Sequence, residues 1–160
     1  MPELKTNVMR LLDQKKIPYI AHAYPHGDTA VDGVTVAGLI GKSPECVFKT
    51  LVARGASKNT YVFVIPVCCE LDLKRAAKAA GEKSVEMVHV SEINALTGYV
   101  RGGCSPLGMK KQYKTVFDSS CLEQKSIVVS AGRIGAQVEL SPQELIKLTR
   151  GSAAALSKEL

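Results

Sequence analysis

The 160-residue chain is 46% hydrophobic, carries a formal net charge of +6 and contains no low-complexity tract. This composition excludes an intrinsically disordered chain and provides enough apolar residues for one domain with a proper core. The excess of Lys and Arg favours a polyanionic partner such as nucleic acid.

Helices and strands follow one another in mixed order along the chain. Apolar residues at helical spacing, together with capping residues and terminal glycines, predict helices over 3–16, 33–41, 72–80, 91–98 and 142–149. Runs rich in β-branched residues predict strands over 19–24, 47–54, 60–67, 85–88, 115–117, 126–130 and 136–140. No repeat or linker interrupts this order, so we predict a single α/β or α+β domain over residues 1–160 with a mixed sheet.

Several local details of these elements are also predicted. The segment 55–59 is expected to form the loop of a hairpin between the strands over 47–54 and 60–67. Ser91 is expected to cap the fourth helix, and Ser141 with Glu144 to form a capping box at the fifth. The Ala- and Ser-rich tail over 151–160 is expected to fray.

Lys49 interrupts an apolar strand face. Side chains alternate between the two faces of a strand, which places Lys49 on the same face as Val47 and Leu51. A buried cation is costly unless an anionic or polar group meets it, so the pattern indicates a ligand-binding cation. The alternative is an inward-pointing charge on an edge strand that protects against aggregation. Thr50, on the opposite face, is a second candidate binding residue.

A glycine-rich loop about fifty residues later has the form GxxxP. It consists of Gly102, Gly103, Cys104, Ser105 and Pro106, and glycines let a ligand approach the backbone N–H groups closely. Such a loop is able to bind an oxyanion, although an ordinary Gly/Pro turn has the same composition. A basic cluster surrounds the loop and consists of Arg101, Lys110, Lys111 and Lys114. The combination predicts an anionic, phosphate-bearing substrate.

The cysteines and histidines do not form a recognisable catalytic or metal-binding pattern. The five cysteines are an odd number without a CxxC pair, which argues against a disulfide framework and a zinc site. Cysteine catalysis needs a neighbouring base, and His22, His26 and His89 are scattered. We therefore expect reduced thiols, no metal and no cofactor. The absence of an 18-residue apolar run and of a signal-peptide core leads us to expect a cytoplasmic protein without a membrane partner.

Taken together, these motifs resemble the YbaK/EbsC family of Cys-tRNA(Pro) deacylases, which is related to the editing domain of bacterial prolyl-tRNA synthetases. The similarity covers almost the whole chain. It rests on short motifs in a specific order, namely 16–19, 47–51, 73–78, 97–99, 102–108, 129–133 and 138–142. The resemblance implies a compact, partly barrel-like mixed sheet surrounded by helices.

The resemblance also implies an activity and assigns residues to it. The family's key lysine falls on Lys49, its substrate loop on residues 102–106 and a pocket tyrosine on Tyr24. Lys49, Gly102 and Gly103 would then be catalytic. The substrate-binding residues would be Tyr24, Thr50, Arg101, Ser105, Pro106 and Gln137. The implied substrate is the aminoacyl ester at the acceptor end of tRNA(Pro), cleaved with help from the substrate's own thiol, with prolyl-tRNA synthetase as a partner.

Three departures from the family pattern concern the pocket. The segment 26–32 is short, Ile134 stands where a second basic residue often follows Arg133, and Gln137 occupies a variable position. These changes bear on which aminoacyl group is accepted. The open alternatives are hydrolysis of another ester such as Ala-tRNA(Pro), and a module that binds tRNA or a synthetase without turnover. The sequence leaves the oligomeric state open.

Overall fold

The computed structural model describes residues 5–25 and 31–159, and the expected shortened segment 26–32 lies largely outside them. Within these described residues, five α-helices and ten β-strands form one α+β domain. The helices are α1 (Asn7–Gln14), α2 (Gly33–Leu39), α3 (Leu73–Ala80), α4 (Val90–Thr97) and α5 (Pro142–Thr149). The first six strands are β1 (Ile20–Ala23), β2 (Phe48–Gly55), β3 (Thr60–Pro66), β4 (Cys69–Leu71), β5 (Val85–Met87) and β6 (Lys114–Asp118). The remaining strands are β7 (Ile127–Arg133), β8 (Ala136–Leu140), β9 (Ser152–Ala154) and β10 (Ser157–Glu159).

The strands form a mixed five-stranded sheet and two smaller antiparallel sheets. The large sheet has the order β5-β2-β3-β6-β9, with β3, β6 and β9 parallel to one another. A three-stranded sheet has the order β1-β8-β7, and β10 pairs with β4. A parallel bridge between Val47 and Val128 links the start of β2 to β7, so the two larger sheets meet without closing into a barrel. This architecture confirms the predicted fold class.

The core lies on both faces of the large sheet, as the period of two in β3 requires. Val62 and Val64 face a cluster with Val129 and Leu145, whereas Phe63 faces a second cluster that includes residues of α3. Each of these five side chains is inaccessible to solvent. Because β2 pairs with this buried strand, the position of β2 is fixed as well.

The predicted hairpin is confirmed, because β2 and β3 pair antiparallel from Phe48–Pro66 to Arg54–Thr60. The predicted start and end of α3 are also confirmed. Asp72 accepts hydrogen bonds from the N–H groups of Lys74 and Arg75, and Gly81 ends the helix in the left-handed region.

Three capping and helix-boundary predictions are wrong. The first helix begins after Thr6, whose hydroxyl accepts a hydrogen bond from the Met9 N–H. The cap of α4 is the His89 side chain and not Ser91. Ser141 does precede α5, but its hydroxyl donates to the Gln143 side chain, so no capping box forms.

The prediction of a fraying tail is also wrong. Asp118 is buried, and one of its carboxylate oxygens accepts hydrogen bonds from the N–H groups of Leu156 and Ser157 at 2.8 and 3.0 Å. These bonds hold β9 and β10 in place. None of the helices in the described ranges is long and apolar enough to span a membrane.

Candidate active site

A cavity of about 870 Å³ opens where β2 begins, beside the turn that precedes residue 104. Its lining combines apolar side chains with a few polar and charged ones. The polar and charged lining residues are Tyr24, Asp32, Lys49, Thr50, Arg101, Ser130 and Gln137. The apolar lining includes Val36, Val47, Phe48, Leu51, Val67, Val100 and Ile134.

Lys49 is a half-buried cation on the cavity wall. It pairs with Ile65 across the hairpin, whereas β5 pairs only with the far end of β2, at Ala53, Arg54 and Gly55. The alternative of a protective charge on an edge strand therefore stays a prediction. Burial lowers the pKa of its ammonium group, and the nearby Cys69 and Glu70 oppose that effect. Within residues 5–25 and 31–159, no hydrogen bond or ion pair is made by the Lys49 amine. A desolvated cation without a partner is suited to an anionic ligand.

Thr50 and Gln137 bring two unsatisfied oxygens to the same cavity. The Thr50 hydroxyl and the Gln137 amide oxygen are both buried and have no hydrogen-bond partner. Gln137 pairs across β7 and β8 with Ser130, which also lines the cavity. Thr50 and Gln137 are both predicted binding residues, and the structure places them together.

The glycine-rich loop is held by hydrogen bonds on its far side. The Tyr99 hydroxyl donates to the Leu107 carbonyl at 2.6 Å, and burial raises the pKa of this hydroxyl to about 12. Gly102 has φ +85°, a backbone conformation that favours glycine, and it lines the cavity. The loop therefore presents Arg101, Gly102 and Cys104 to the cavity in a fixed position.

Gly103 is placed differently from its predicted catalytic position. Its N–H donates to the Val100 carbonyl at 2.9 Å, so it is already occupied. A Cβ on Gly103 would lie 2.9 Å from the Arg133 backbone, which shows that glycine is needed here for packing. The Gly102 N–H, in contrast, makes no hydrogen bond with the part of the chain described.

Ser105 and Pro106 also lie away from the cavity lining. Both are buried, and the Ser105 hydroxyl accepts a hydrogen bond from the Leu107 N–H at 3.2 Å. They support the loop conformation from the side that faces away from the cavity. The structure thus brings six of the nine predicted site residues to one cavity, namely Tyr24, Lys49, Thr50, Arg101, Gly102 and Gln137.

Cys104 is the only thiol on the cavity wall among the described residues. It is 8% exposed, and burial raises the pKa of this thiol to about 11. A neutral thiol is a poor nucleophile. His22 bonds to Glu139 and His89 caps α4, while His26 lies outside the described residues. Across those residues, no three Cys, His, Asp or Glu side chains converge as metal ligands.

Asp32 and Ser130 line the cavity but are not among the predicted site residues. Asp32 caps α2, accepting hydrogen bonds from the Thr35 N–H at 3.0 Å and the Thr35 hydroxyl at 2.6 Å. An aspartate immediately before a helix is the signal that could have located it. Ser130 has no local signal, because its place in the cavity depends on the contact between β2 and β7.

Comparisons with known proteins agree with this geometry. The model of the aminoacyl-tRNA editing domain family matches residues 25–148. A protein of Enterococcus faecalis named "Putative Cys-tRNA(Pro)/Cys-tRNA(Cys) deacylase EbsC" is 43% identical over 153 residues, which cover 96% of this chain and 93% of that protein.

Two solved structures are similar over nearly their whole length. The hypothetical protein APE2540 superposes with a TM-score of 0.83 at 26% identity, covering 94% of this chain and 99% of that one. A structure described as "a putative trans-editing enzyme for prolyl tRNA synthetase" has a TM-score of 0.81 at 23% identity, covering 98% and 99%. The second similarity supports the fold.

Proposed function

The chain belongs to the aminoacyl-tRNA editing domain family, and from this membership we propose that it hydrolyses the aminoacyl ester of mischarged Cys-tRNA(Pro). The observation that carries the proposal is the unpartnered, partly desolvated Lys49 on the wall of a cavity whose one thiol among the described residues, Cys104, is kept neutral by burial. The name of the E. faecalis relative supports Cys-tRNA as the substrate class.

Lys49 and Arg101 bind the phosphate of the terminal nucleotide in this proposal. Both cations line the cavity, and a phosphate would replace the solvation that Lys49 has lost through burial. The interaction is stronger in this partly desolvated place than it would be in open water. In this proposal Lys49 positions the ester through the phosphate.

The nucleophile in the proposal is the thiol of the substrate cysteine. Its sulfur attacks the ester carbonyl, the bond from that carbon to the ribose oxygen breaks, and the thiol proton passes to that oxygen to form the ribose hydroxyl. The resulting cyclic thioester is then hydrolysed by water to free cysteine. This route explains how a cavity whose own thiol, Cys104, is neutral supports ester cleavage.

The Gly102 N–H is the oxyanion donor in the proposal. The carbonyl oxygen gains negative charge during the attack, and a fixed backbone donor stabilises that charge. Gly102 lines the cavity, whereas the N–H of Gly103 is engaged by Val100. Of the two glycines predicted to be catalytic, only Gly102 therefore acts as an oxyanion donor in the proposal.

In the proposal, this chain binds the acceptor end of the tRNA. A synthetase partner then distinguishes tRNA(Pro) from other tRNAs. The cavity of about 870 Å³ has the size of a small-ligand site and leaves most of a tRNA outside it. A partner that carries the rest of the tRNA, such as prolyl-tRNA synthetase, would supply the discrimination.

The test compares deacylation of Cys-tRNA(Pro), Ser-tRNA(Pro) and Ala-tRNA(Pro), with and without prolyl-tRNA synthetase. We expect rapid loss of the Cys ester and little loss of the Ser and Ala esters, since neither carries a thiol. Equal cleavage of all three would contradict thiol assistance. No cleavage of any ester, with synthetase present, would contradict the deacylase function.

A further inference from the structure

Two buried oxygens in the cavity wall lack hydrogen-bond partners. They are the Thr50 hydroxyl oxygen and the Gln137 amide oxygen, and they are the only such side-chain atoms in the described part of the chain. Gln137 is 7% exposed, so its side chain is more than nine-tenths buried. Buried acceptors without partners are rare in folded proteins, because each one costs free energy.

The two oxygens lie where the two larger sheets meet. Thr50 is on β2, which the Val47–Val128 bridge joins to β7, and Gln137 pairs with Ser130 of β7. The terminal torsion of a glutamine amide is soft, so the Gln137 oxygen turns towards a ligand without movement of the backbone. The two residues together form an acceptor wall, defined here as Thr50 and Gln137.

Other oxygen-bearing side chains on the cavity wall already have interactions within the protein. The two carboxylate oxygens of Asp32 accept hydrogen bonds from Thr35, and the Ser130 hydroxyl accepts one from the Gly132 N–H. Tyr24 also has an interaction partner within the protein. The acceptor wall differs from these side chains because neither of its two oxygens has a hydrogen-bond partner among the described residues.

The charges in the cavity decide which ligand group fits this wall. An aminoacyl nucleotide carries an anionic phosphate and a cationic α-ammonium group. Lys49 and Arg101 attract the phosphate and repel the ammonium group, which needs oxygen acceptors instead. We propose that Thr50 and Gln137 bind the α-ammonium group of the aminoacyl ester and so select substrates with a free amine. This inference rests on the proposed function.

The first test compares Cys-tRNA(Pro) with N-acetyl-Cys-tRNA(Pro), in which the amine is neutral and blocked. Gln137→Leu and Thr50→Val remove one oxygen each at similar size. We expect each variant to lower kcat/KM for Cys-tRNA(Pro) by about tenfold or more, as for loss of a hydrogen bond to a charged group. The acetylated substrate should lose a similar factor with the wild type, and no further factor with Gln137→Leu. Gln137→Glu should retain the rate.

Stability provides a second readout that a purely structural role would move in the opposite direction. Gln137→Leu and Thr50→Val remove unsatisfied buried oxygens, so their melting temperatures should equal or exceed that of the wild type. Gln124→Leu, at a position outside the cavity, is the matched control and should change neither rate nor substrate preference. Lower melting temperatures together with equal losses on both substrates would overturn the proposal.

A tRNA ending in 2′-deoxyadenosine separates the ammonium group from the other donor nearby, the ribose 2′-hydroxyl. The loss of kcat/KM in Gln137→Leu could disappear on this tRNA and persist on the acetylated one. In that case the acceptor wall binds the ribose 2′-hydroxyl, and our assignment is wrong. If wild-type protein cleaves no Cys ester at all, the proposed function itself fails. The inference about the α-ammonium group fails with it, whereas a loss of the preference for the free amine alone leaves the proposed function intact.

Discussion

Lys49 and Glu139 are two charged side chains on largely apolar strands. They differ in whether the described residues provide them with hydrogen-bond and ion-pair partners. Glu139 is 7% exposed and is met by His22 at 2.8 Å, Lys42 at 3.0 Å and Ser126 at 2.5 Å. Burial alone would raise its pKa, but the hydrogen bonds from Ser126, His22 and Lys42 lower it to about 2. Lys49 has no such partners in the described residues, and burial lowers the pKa of its amine.

The difference separates a structural charge from a functional one. Glu139 is satisfied within the protein and ties Lys42, which follows α2, to the three-stranded sheet. Lys49 keeps its hydrogen-bonding capacity for a ligand. Removing Glu139 should therefore damage the fold, whereas removing the Lys49 charge should damage activity and spare the fold.

The largest expected effect is loss of deacylation in Lys49→Met. Removal of a cation that stabilises charge in a desolvated cavity should lower kcat/KM by roughly 100- to 1,000-fold. The free energy of unfolding should not fall, because a desolvation cost disappears with the charge. Lys42→Met, at the satisfied site, should show the reverse pattern. Parallel deacylation rates and urea unfolding curves of the two variants test this contrast.

The second effect is on stability. Glu139→Ala leaves the positively charged Lys42 without its partner and should lower the free energy of unfolding by about 3 kcal/mol. The folded fraction should keep most of its deacylase activity, since Glu139 does not line the cavity. Exposed Glu123→Ala is the control and should change stability by less than about 0.5 kcal/mol. A loss of activity without a loss of stability would contradict the comparison.

The contribution of Glu139 should also depend on pH. Its folded pKa of about 2 lies below the ordinary value of 4.5, so its stabilising effect is complete above about pH 4.5 and is lost as the pH falls towards 2. The stability difference between wild type and Glu139→Gln should therefore shrink by up to roughly 3 kcal/mol over this range. Urea unfolding at a series of pH values measures it; a constant difference would show that the carboxylate is not stabilised by its partners.

The smallest effects concern two glycines. A Cβ at Gly103 would meet the Arg133 backbone at 2.9 Å, so Gly103→Ala should displace the loop and lower activity, with a stability cost of about 1–3 kcal/mol. Gly38 lies inside α2, and a Cβ there would meet no atom within 4 Å, so Gly38→Ala should stabilise by about 0.5–1 kcal/mol. Thermal unfolding and deacylation rates distinguish the two; equal effects would refute the close packing at Gly103.

The sequence predicted the parts of the molecule that depend on neighbouring residues. The hairpin, α3 and the exceptional position of Lys49 all follow from local alternation and capping. The Glu139 cluster could not be predicted, because its partners His22 and Lys42 are 117 and 97 residues away along the chain. The ordered tail depends in the same way on Asp118, which lies 38 residues before Leu156.

The site was predictable in its residue types and less so in its geometry. Lys49, Arg101 and Gly102 line one cavity, as the pattern of charge and glycine indicated. The occupied N–H of Gly103 and the position of Ser105 behind the loop depend on which way each peptide unit and side chain turns. That orientation is set by packing against Arg133 and Leu107, which the loop sequence does not specify.

The most direct test of the central claim is an NMR titration of the Lys49 amine, free and with adenosine 5′-monophosphate. We expect a pKa below the ordinary value of 10.5 in the free protein and a rise when the nucleotide phosphate binds. Lys49→Met provides the assignment of the signal. A pKa at 10.5 that does not move with the nucleotide would contradict the claim that Lys49 is a desolvated cation reserved for an anionic substrate.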